Sequence, residues 1–157
     1  MTSVVAIFIR FVAILAGYAV ASLAASAFLH LIVLGPLEWT NEEAAWVASG
    51  SAFVSVPVFA LFVGYFAFLP SIPVILASEV LARRDWLFHV LCGGGVALVV
   101  AALFLADAAR AGDPSYDPAF LAVVVAAGLV GGFGYWLVAG RGAGAWRMAT
   151  SPKRSES

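Results

Sequence analysis

Charged residues are scarce in this chain. Only 11% of its 157 residues are Asp, Glu, Lys or Arg, whereas 64% are hydrophobic. A soluble domain is about one quarter charged and about half apolar, so this composition predicts a membrane protein. The eight basic and nine acidic residues give a net charge of −1, which offers no electrostatic basis for binding nucleic acid.

Cysteines and catalytic motifs are also lacking. Cys92 is the single cysteine, which excludes an internal disulfide and a thiolate metal site within one chain. The sequence contains no HExxH motif, no phosphate-binding loop and no recognisable Ser-His-Asp set. We therefore expect no enzymatic activity, no catalytic or metal site, and no cofactor, with bound lipids as the expected ligands.

Long apolar runs predict an all-α membrane protein with four transmembrane helices, because about 20 apolar residues suffice to cross a bilayer. The expected helices cover about 11–34, 41–82, 86–109 and 118–139 within a transmembrane domain at 1–147, and a flexible polar tail follows at 148–157. The first is expected to end at Gly35-Pro36. The second is too long for one straight crossing, and Pro70 and Pro73 predict a break at 70–73.

The basic residues predict the orientation. Arg110 falls on one side of the predicted helices, and seven basic residues fall on the other: Arg10, Arg83, Arg84, Arg141, Arg147, Lys153 and Arg154. Cytoplasmic loops carry the excess of Lys and Arg, so both termini are expected in the cytoplasm. Five residues are expected at the lipid interface on this side: Trp86, Trp136, Arg141, Trp146 and Arg147.

Glycines mark candidate packing surfaces, because small residues let helices in lipid approach closely. They are Gly17 in the first segment, Gly93 and Gly94 in the third, and Gly128, Gly131 and Gly132 in the fourth. Packing within one bundle is the simpler interpretation. Alternatively, one of these surfaces, most of all that of the fourth segment, binds a partner or a second copy.

Glu79 is the least expected residue in an apolar part of the chain, and an ionisable residue in a membrane is a functional candidate. One interpretation is an interfacial ion pair with Arg83 or Arg84, about one turn further along the same helix. The other is a proton or cation site beside the Pro70–Pro73 break, where unwound carbonyls coordinate an ion.

The two histidines are expected at opposite membrane faces, His30 at the end of the first segment and His89 at the start of the third. A haem held by two histidines needs both at similar depth, so this separation excludes one within the chain. Local hydrogen bonding is the expected role of each. The acidic residues Glu38, Glu42 and Glu43 near His30 are expected to form a solvated rim rather than a metal site.

Two stretches carry a family resemblance. The ending from Tyr135 to Arg147, YWLVAGRGAGAWR, resembles a tail shared by small four-helix bacterial inner-membrane proteins of unknown function. The stretch from Glu79 to Gly94, with a basic pair followed by Trp86 and then glycines, is similar to the middle of such proteins. The resemblance implies four transmembrane helices and the bacterial cytoplasmic membrane, and it implies no activity or cofactor.

These features favour a non-catalytic integral membrane protein that serves as an accessory or structural subunit of a larger membrane complex. Its expected partners are membrane lipids and other membrane subunits. The alternative function is a homo-oligomeric transporter or channel for an ion or small solute, with Glu79 near the Pro70–Pro73 break on the conduction path.

Overall fold

The described part of the chain folds into four long helices. The computed structural model describes the backbone of residues 3–38, 42–112 and 117–145, and the side chains of 4–32, 52–112 and 117–145. The helices are α1 (Ser3–Glu38), α2 (Glu42–Val80), α3 (Trp86–Arg110) and α4 (Pro118–Val138), and a short 3₁₀ turn follows at Gly140–Gly142. The described residues contain no strand, and all four helices are long and apolar enough to cross a membrane. The prediction of an all-α fold with four helices that could span a membrane is confirmed for the described residues.

The starts of α3 and α4 follow from local sequence. Asp85 precedes α3 and its carboxylate accepts a hydrogen bond from the Leu87 amide at 3.3 Å. Asp117 does the same for the Ala119 amide at 2.8 Å, and Pro118 occupies the first turn of α4. Both aspartates satisfy amides that have no partner within the helix. The two helices end within one residue of their predicted bounds.

The first helix is longer than predicted. It runs from Ser3 to Glu38, so it begins before Arg10 and continues through Gly35-Pro36. A proline removes only one backbone hydrogen bond, and a membrane helix tolerates that loss where neighbouring groups satisfy the freed carbonyl. The consequence for the site is that Arg10 lies inside a helix instead of in front of one.

The predicted break at 70–73 is wrong, because α2 is one continuous helix with Pro57, Pro70 and Pro73 inside it. Ser71 lies between the last two prolines, and its hydroxyl donates to the Phe68 carbonyl at 2.8 Å. This bond adds a side-chain contact to the backbone beside the carbonyls of Phe66 and Leu69, which the two prolines leave without their usual donors. The chain therefore offers no unwound carbonyls at this position for an ion.

The helices alternate in direction and form a ring in the order α1, α2, α3 and α4. The most extensive contacts join α4 to α3 and α4 to α1, whereas α2 and α3 contact each other least among neighbouring helices. This arrangement leaves α2 the most loosely attached of the four.

Glycines form both seams of α4. Gly93 and Gly128 face each other across the α3–α4 seam, and a Cβ atom on Gly128 would lie 2.5 Å from the Gly93 carbonyl oxygen. Gly132 is packed against the backbone at His89 on the same seam. On the α1–α4 seam, a Cβ atom on Gly131 would lie 3.1 Å from the Ala21 carbonyl oxygen. Gly17 and Gly94 also pack against α4.

The seam between α1 and α2 depends mainly on hydroxyl groups, with one glycine, Gly64, packed against Ser22. Tyr18 donates to the Gly64 carbonyl, and Ser26 donates to the Val56 carbonyl at 2.8 Å. Ser26 is 1% exposed, so water cannot compete for this bond. Interhelical bonds of this kind contribute about 0.6 kcal/mol each on average in membranes.

The two glycines Gly128 and Gly95 provide a matched test of the α3–α4 seam. Gly128→Ala should lower the free energy of unfolding, because the added methyl group overlaps backbone atoms of α3. Gly95→Ala should leave the free energy of unfolding unchanged or raise it by up to about 1 kcal/mol. No other atom lies within 4 Å of the added Cβ atom, and alanine has a higher helix propensity than glycine. Reversible unfolding in mixed micelles measures both. Equal effects would contradict the close packing at Gly128.

Candidate functional site

Most polar contacts between distant parts of the chain occur at one end of the bundle, the basic end, which consists of Arg10, Glu79, Arg84 and Gly140–Gly144. Here Arg10 of α1 forms an ion pair with Glu79 near the end of α2. The Arg10 Nε atom donates to Glu79 Oε1 at 2.9 Å, and one terminal nitrogen of the same guanidinium contacts that oxygen as well. The side chains are only 12% and 11% exposed.

The same ion pair binds the segment after α4. The Arg10 guanidinium donates to the carbonyl of Ala139 at 2.8 Å. Ala139 is the last residue before the 3₁₀ turn. Glu79 Oε2 accepts from the Gly144 amide at 3.1 Å. One ion pair therefore connects α1, α2 and the end of α4, and both of its members make a further hydrogen bond.

Close backbone packing makes this arrangement possible. Gly144 has a φ of +69°, and a Cβ atom there would lie 2.6 Å from the Cβ atom of Ala82. Ala82 itself has a φ of +48° and follows the end of α2, where the Arg83 amide donates to the Ser78 carbonyl at 3.0 Å. Such a left-handed residue ends many helices. A side chain at residue 144 would be both strained and obstructed.

The predicted partner of Glu79 is wrong. The structure pairs Glu79 with Arg10, 69 residues earlier, and not with Arg83 or Arg84. Arg83 is exposed. Arg84 is also exposed, and its Nε atom donates to the Ala143 carbonyl at 3.0 Å. Arg83 and Arg84 are not on the same helix as Glu79, because α2 ends at Val80.

Trp136 and Arg141 complete the basic end. The indole of Trp136 donates to the Arg84 carbonyl at 2.8 Å, which connects α4 to the α2–α3 turn. The Arg141 guanidinium lies 5.4 Å from the centre of the Trp136 ring and donates to the Leu137 carbonyl at 2.9 Å. Trp86 is half exposed at the start of α3. The other predicted interface residues, Trp146 and Arg147, and the tail at 148–157 lie outside the described residues.

His89 and Tyr135 form a buried pair beside the ion pair. They are 3% and 7% exposed, and their rings stack with centres 5.7 Å apart. His89 Nδ1 lies 2.8 Å from the Asp85 carbonyl, so Nδ1 carries a proton, and in the neutral ring Nε2 is an acceptor. Within the described part of the chain, neither His89 Nε2 nor the Tyr135 hydroxyl has a hydrogen-bond partner. Sequence reasoning missed Tyr135 because an aromatic residue near a helix end is ordinary in a membrane protein.

The other histidine lies far from this pair. His30 is 20 residues after Arg10 in α1, or roughly 30 Å along the helix at 1.5 Å per residue. Its Nδ1 atom is 3.4 Å from the Ser55 hydroxyl. The two histidines therefore lie towards opposite ends of the bundle. Among the described residues, no three His, Cys, Asp or Glu side chains lie close enough to bind a metal ion.

A cavity of about 280 Å³ extends from the His89–Tyr135 pair along the middle of the bundle. All four helices contribute to its wall, which is almost entirely apolar. The lining extends from His89 to Phe104 along α3 and from Phe62 to Ser78 along α2. These spans correspond to roughly 22 to 24 Å at 1.5 Å per residue, so the cavity is long and narrow. Glu79 and Arg10 do not line it.

No family model, curated protein or solved structure matches this chain. The functional inferences below therefore depend on the geometry of the chain itself.

The Arg10–Glu79 pair and an exposed pair on α3 allow a matched comparison. Glu79→Gln should lower the free energy of unfolding by about 3–5 kcal/mol, because it leaves the Arg10 charge nearly buried without its counter-ion. Asp107→Asn removes the partner of Arg110, where both side chains are more than three-quarters exposed and the closest atoms are 4.0 Å apart. That change should cost less than about 1 kcal/mol.

Unfolding by denaturing detergent, followed by circular dichroism, measures both variants. A Glu79→Gln protein as stable as the Asp107→Asn protein would show that the ion pair does not hold the basic end together.

Proposed function

We propose that this chain is a non-catalytic subunit that supports a larger membrane protein complex in the bacterial cytoplasmic membrane. Its described polar groups serve mainly to hold its own helices together, as at the basic end. One exposed surface of α2 is the single observation that carries the proposal, and it is described next.

This surface is the α2 ridge, which consists of Leu61, Tyr65 and Leu69 at every fourth position. Their side chains are 74%, 75% and 77% exposed, so all three project away from the bundle. Tyr65 is one residue from the centre of the apolar span Ala52–Val80. It is therefore about 20 Å along the helix from either end of the span at 1.5 Å per residue. Tyrosines that face lipid belong at the interfaces rather than at this depth.

A hydroxyl group at this depth needs an acceptor. Moving a hydroxyl from water into hydrocarbon without a hydrogen bond costs about 4–8 kcal/mol. The comparable residue Tyr18 also lies within a span, and its hydroxyl donates to the Gly64 carbonyl of the neighbouring helix. A helix of another subunit placed on the α2 ridge would give Tyr65 the same kind of acceptor.

The glycine surfaces do not supply the partner interface in this proposal. Gly128, Gly131 and Gly132 pack against α3 and α1 of the same chain. A partner is therefore expected on α2, which has the fewest contacts with its own bundle relative to its length.

The conduction hypothesis has less structural support. A channel or transporter would use Glu79 on a polar path, but Glu79 is 8% exposed and engaged by Arg10 and Gly144. It also does not line the cavity, whose wall is apolar. The accessory role is compatible with both facts.

The proposal includes an orientation. Arg10, Arg84 and Arg141 lie at the basic end, as do the first helix start and the last helix end. The excess of basic residues then assigns this end, and with it both termini, to the cytoplasm.

Native mass spectrometry after extraction from membranes in mild detergent tests the accessory role. We expect the chain to co-purify with other membrane subunits in a fixed ratio. A monomer or a homo-oligomer alone would contradict the proposal, and ion or solute flux in liposomes would then be measured.

Two tyrosine variants localise the interface. Tyr65→Phe should weaken partner association by about 1 kcal/mol, or roughly fivefold, because only the interhelical hydroxyl bond is lost. The stability of the isolated chain should not fall. Tyr18→Phe should do the reverse, lowering the stability of the isolated chain while its folded fraction retains the partner. Full partner retention by Tyr65→Phe, measured by quantitative co-purification, would place the interface elsewhere.

A further inference from the structure

One end of the cavity carries polar groups that are unsatisfied, whereas the hydroxyls elsewhere along its wall, those of Tyr18, Ser22 and Ser71, already donate to backbone carbonyls. The polar end is formed by Tyr135 and His89, near the end of α4 and the start of α3 respectively. Ser78 also reaches the cavity, but its hydroxyl already donates to the Ile75 carbonyl at 2.8 Å. Away from this end the wall consists mostly of aliphatic and aromatic side chains.

The two polar groups at this end are unsatisfied. The Tyr135 hydroxyl can donate a hydrogen bond, and His89 Nε2 can accept one, since the His89 proton is on Nδ1. Both residues are more than nine-tenths buried, and neither atom has a partner among the described residues. A buried polar group without a partner costs about 1–3 kcal/mol, so native proteins rarely leave two together.

Gly140 packs closely against one of these atoms. A Cβ atom on Gly140 would lie 3.0 Å from both Cε1 and Nε2 of His89. Its backbone is not left-handed, so conformation alone does not demand glycine there. A side chain at residue 140 would instead press on the acceptor edge of the histidine ring.

We propose that this cavity binds a single-chain, lipid-soluble molecule whose uncharged head carries a hydroxyl group. The head oxygen would accept from Tyr135, its proton would be donated to His89 Nε2, and the chain would occupy the long apolar part of the cavity. The weak contact between α2 and α3 gives such a molecule a lateral entry from the bilayer.

The charge of the head follows from the surroundings. The nearby Arg10 and Glu79 neutralise each other and make further bonds to Ala139 and Gly144. A charged head would find no free counter-ion among the described groups of the cavity wall, and burying an unpaired charge is strongly unfavourable. A prenyl quinol and a long-chain alcohol both have the required neutral hydroxyl.

Binding of defined probes to the full-length protein in nanodiscs tests this proposal. The probes are a decyl-substituted benzoquinol kept reduced, the corresponding quinone, and hexadecanol, each titrated by native mass spectrometry. We expect one molecule of quinol or alcohol to bind per chain. The quinone should bind more weakly than the quinol, because its carbonyl groups cannot donate to His89. Preference for the quinol over hexadecanol would identify a ring-headed ligand, and equal binding would identify the chain and hydroxyl as sufficient.

Tyr135→Phe is the decisive variant. It should bind the preferred probe about tenfold more weakly, because one hydrogen bond to the head is lost. Without probe, its melting temperature should equal or exceed that of the unsubstituted protein, because an unsatisfied buried hydroxyl has been removed. A purely structural role for the hydroxyl would instead lower the melting temperature.

Two further variants complete the design. Ala67→Leu introduces a larger side chain into the cavity wall and should abolish binding while the helical content is retained. Tyr65→Phe removes a hydroxyl outside the cavity and should leave the affinity unchanged. Failure of every probe to bind, as expected if only water fills the polar end, would overturn the proposal. Equal binding by Tyr135→Phe or Ala67→Leu would overturn it as well.

Discussion

The ion pair between Arg10 and Glu79 is the constraint on which the basic end depends. It joins α1 to α2, and its two additional hydrogen bonds bind the segment that follows α4. In lipid there is little hydrophobic force between helices, so specific polar contacts and close packing must hold the bundle together. Separating a nearly buried charge from its counter-ion is energetically costly. The Arg10–Glu79 pair therefore favours the one helix arrangement in which both charges meet.

Different interactions hold different helices in the bundle. Glycines bring α4 into backbone contact with α1 and α3, whereas hydroxyl bonds and the ion pair attach α2. Because α2 has no glycine seam with α4, it remains at a distance and the cavity lies between the helices. The same attachment leaves the α2 ridge exposed to the bilayer. The proposed partner surface and the proposed ligand cavity thus both result from the limited packing of α2 against the other helices.

Local sequence predicts part of this structure well. Asp85 and Asp117 mark the starts of α3 and α4, because each aspartate satisfies an amide that its helix cannot. Composition alone predicts four membrane helices. The helix ends predicted from prolines in α1 and α2 are wrong, since a membrane helix can continue past a proline when nearby groups satisfy the freed carbonyl.

The site was harder to predict, because its residues are distant in sequence. The sequence identifies Glu79 as a candidate residue but not its partner, because Arg10 is 69 residues away. Arg83 and Arg84, about one turn further along the chain, are the partners that local spacing favours. Tyr135 and His89 lie on different helices, and only the packing of α3 on α4 reveals that two residues with unsatisfied polar atoms line one cavity. No pattern within a single helix carries that information.

A double-mutant cycle on the ion pair tests the central claim most directly. Arg10→Met, Glu79→Met and the double variant would be unfolded reversibly in mixed micelles, and their stabilities compared with the unsubstituted protein. We predict that the double variant loses less unfolding free energy than the two single variants lose together. The difference, which is the coupling energy, should be about 2 kcal/mol or more. Additive losses, with a coupling energy near zero, would contradict the role of this pair in closing the basic end.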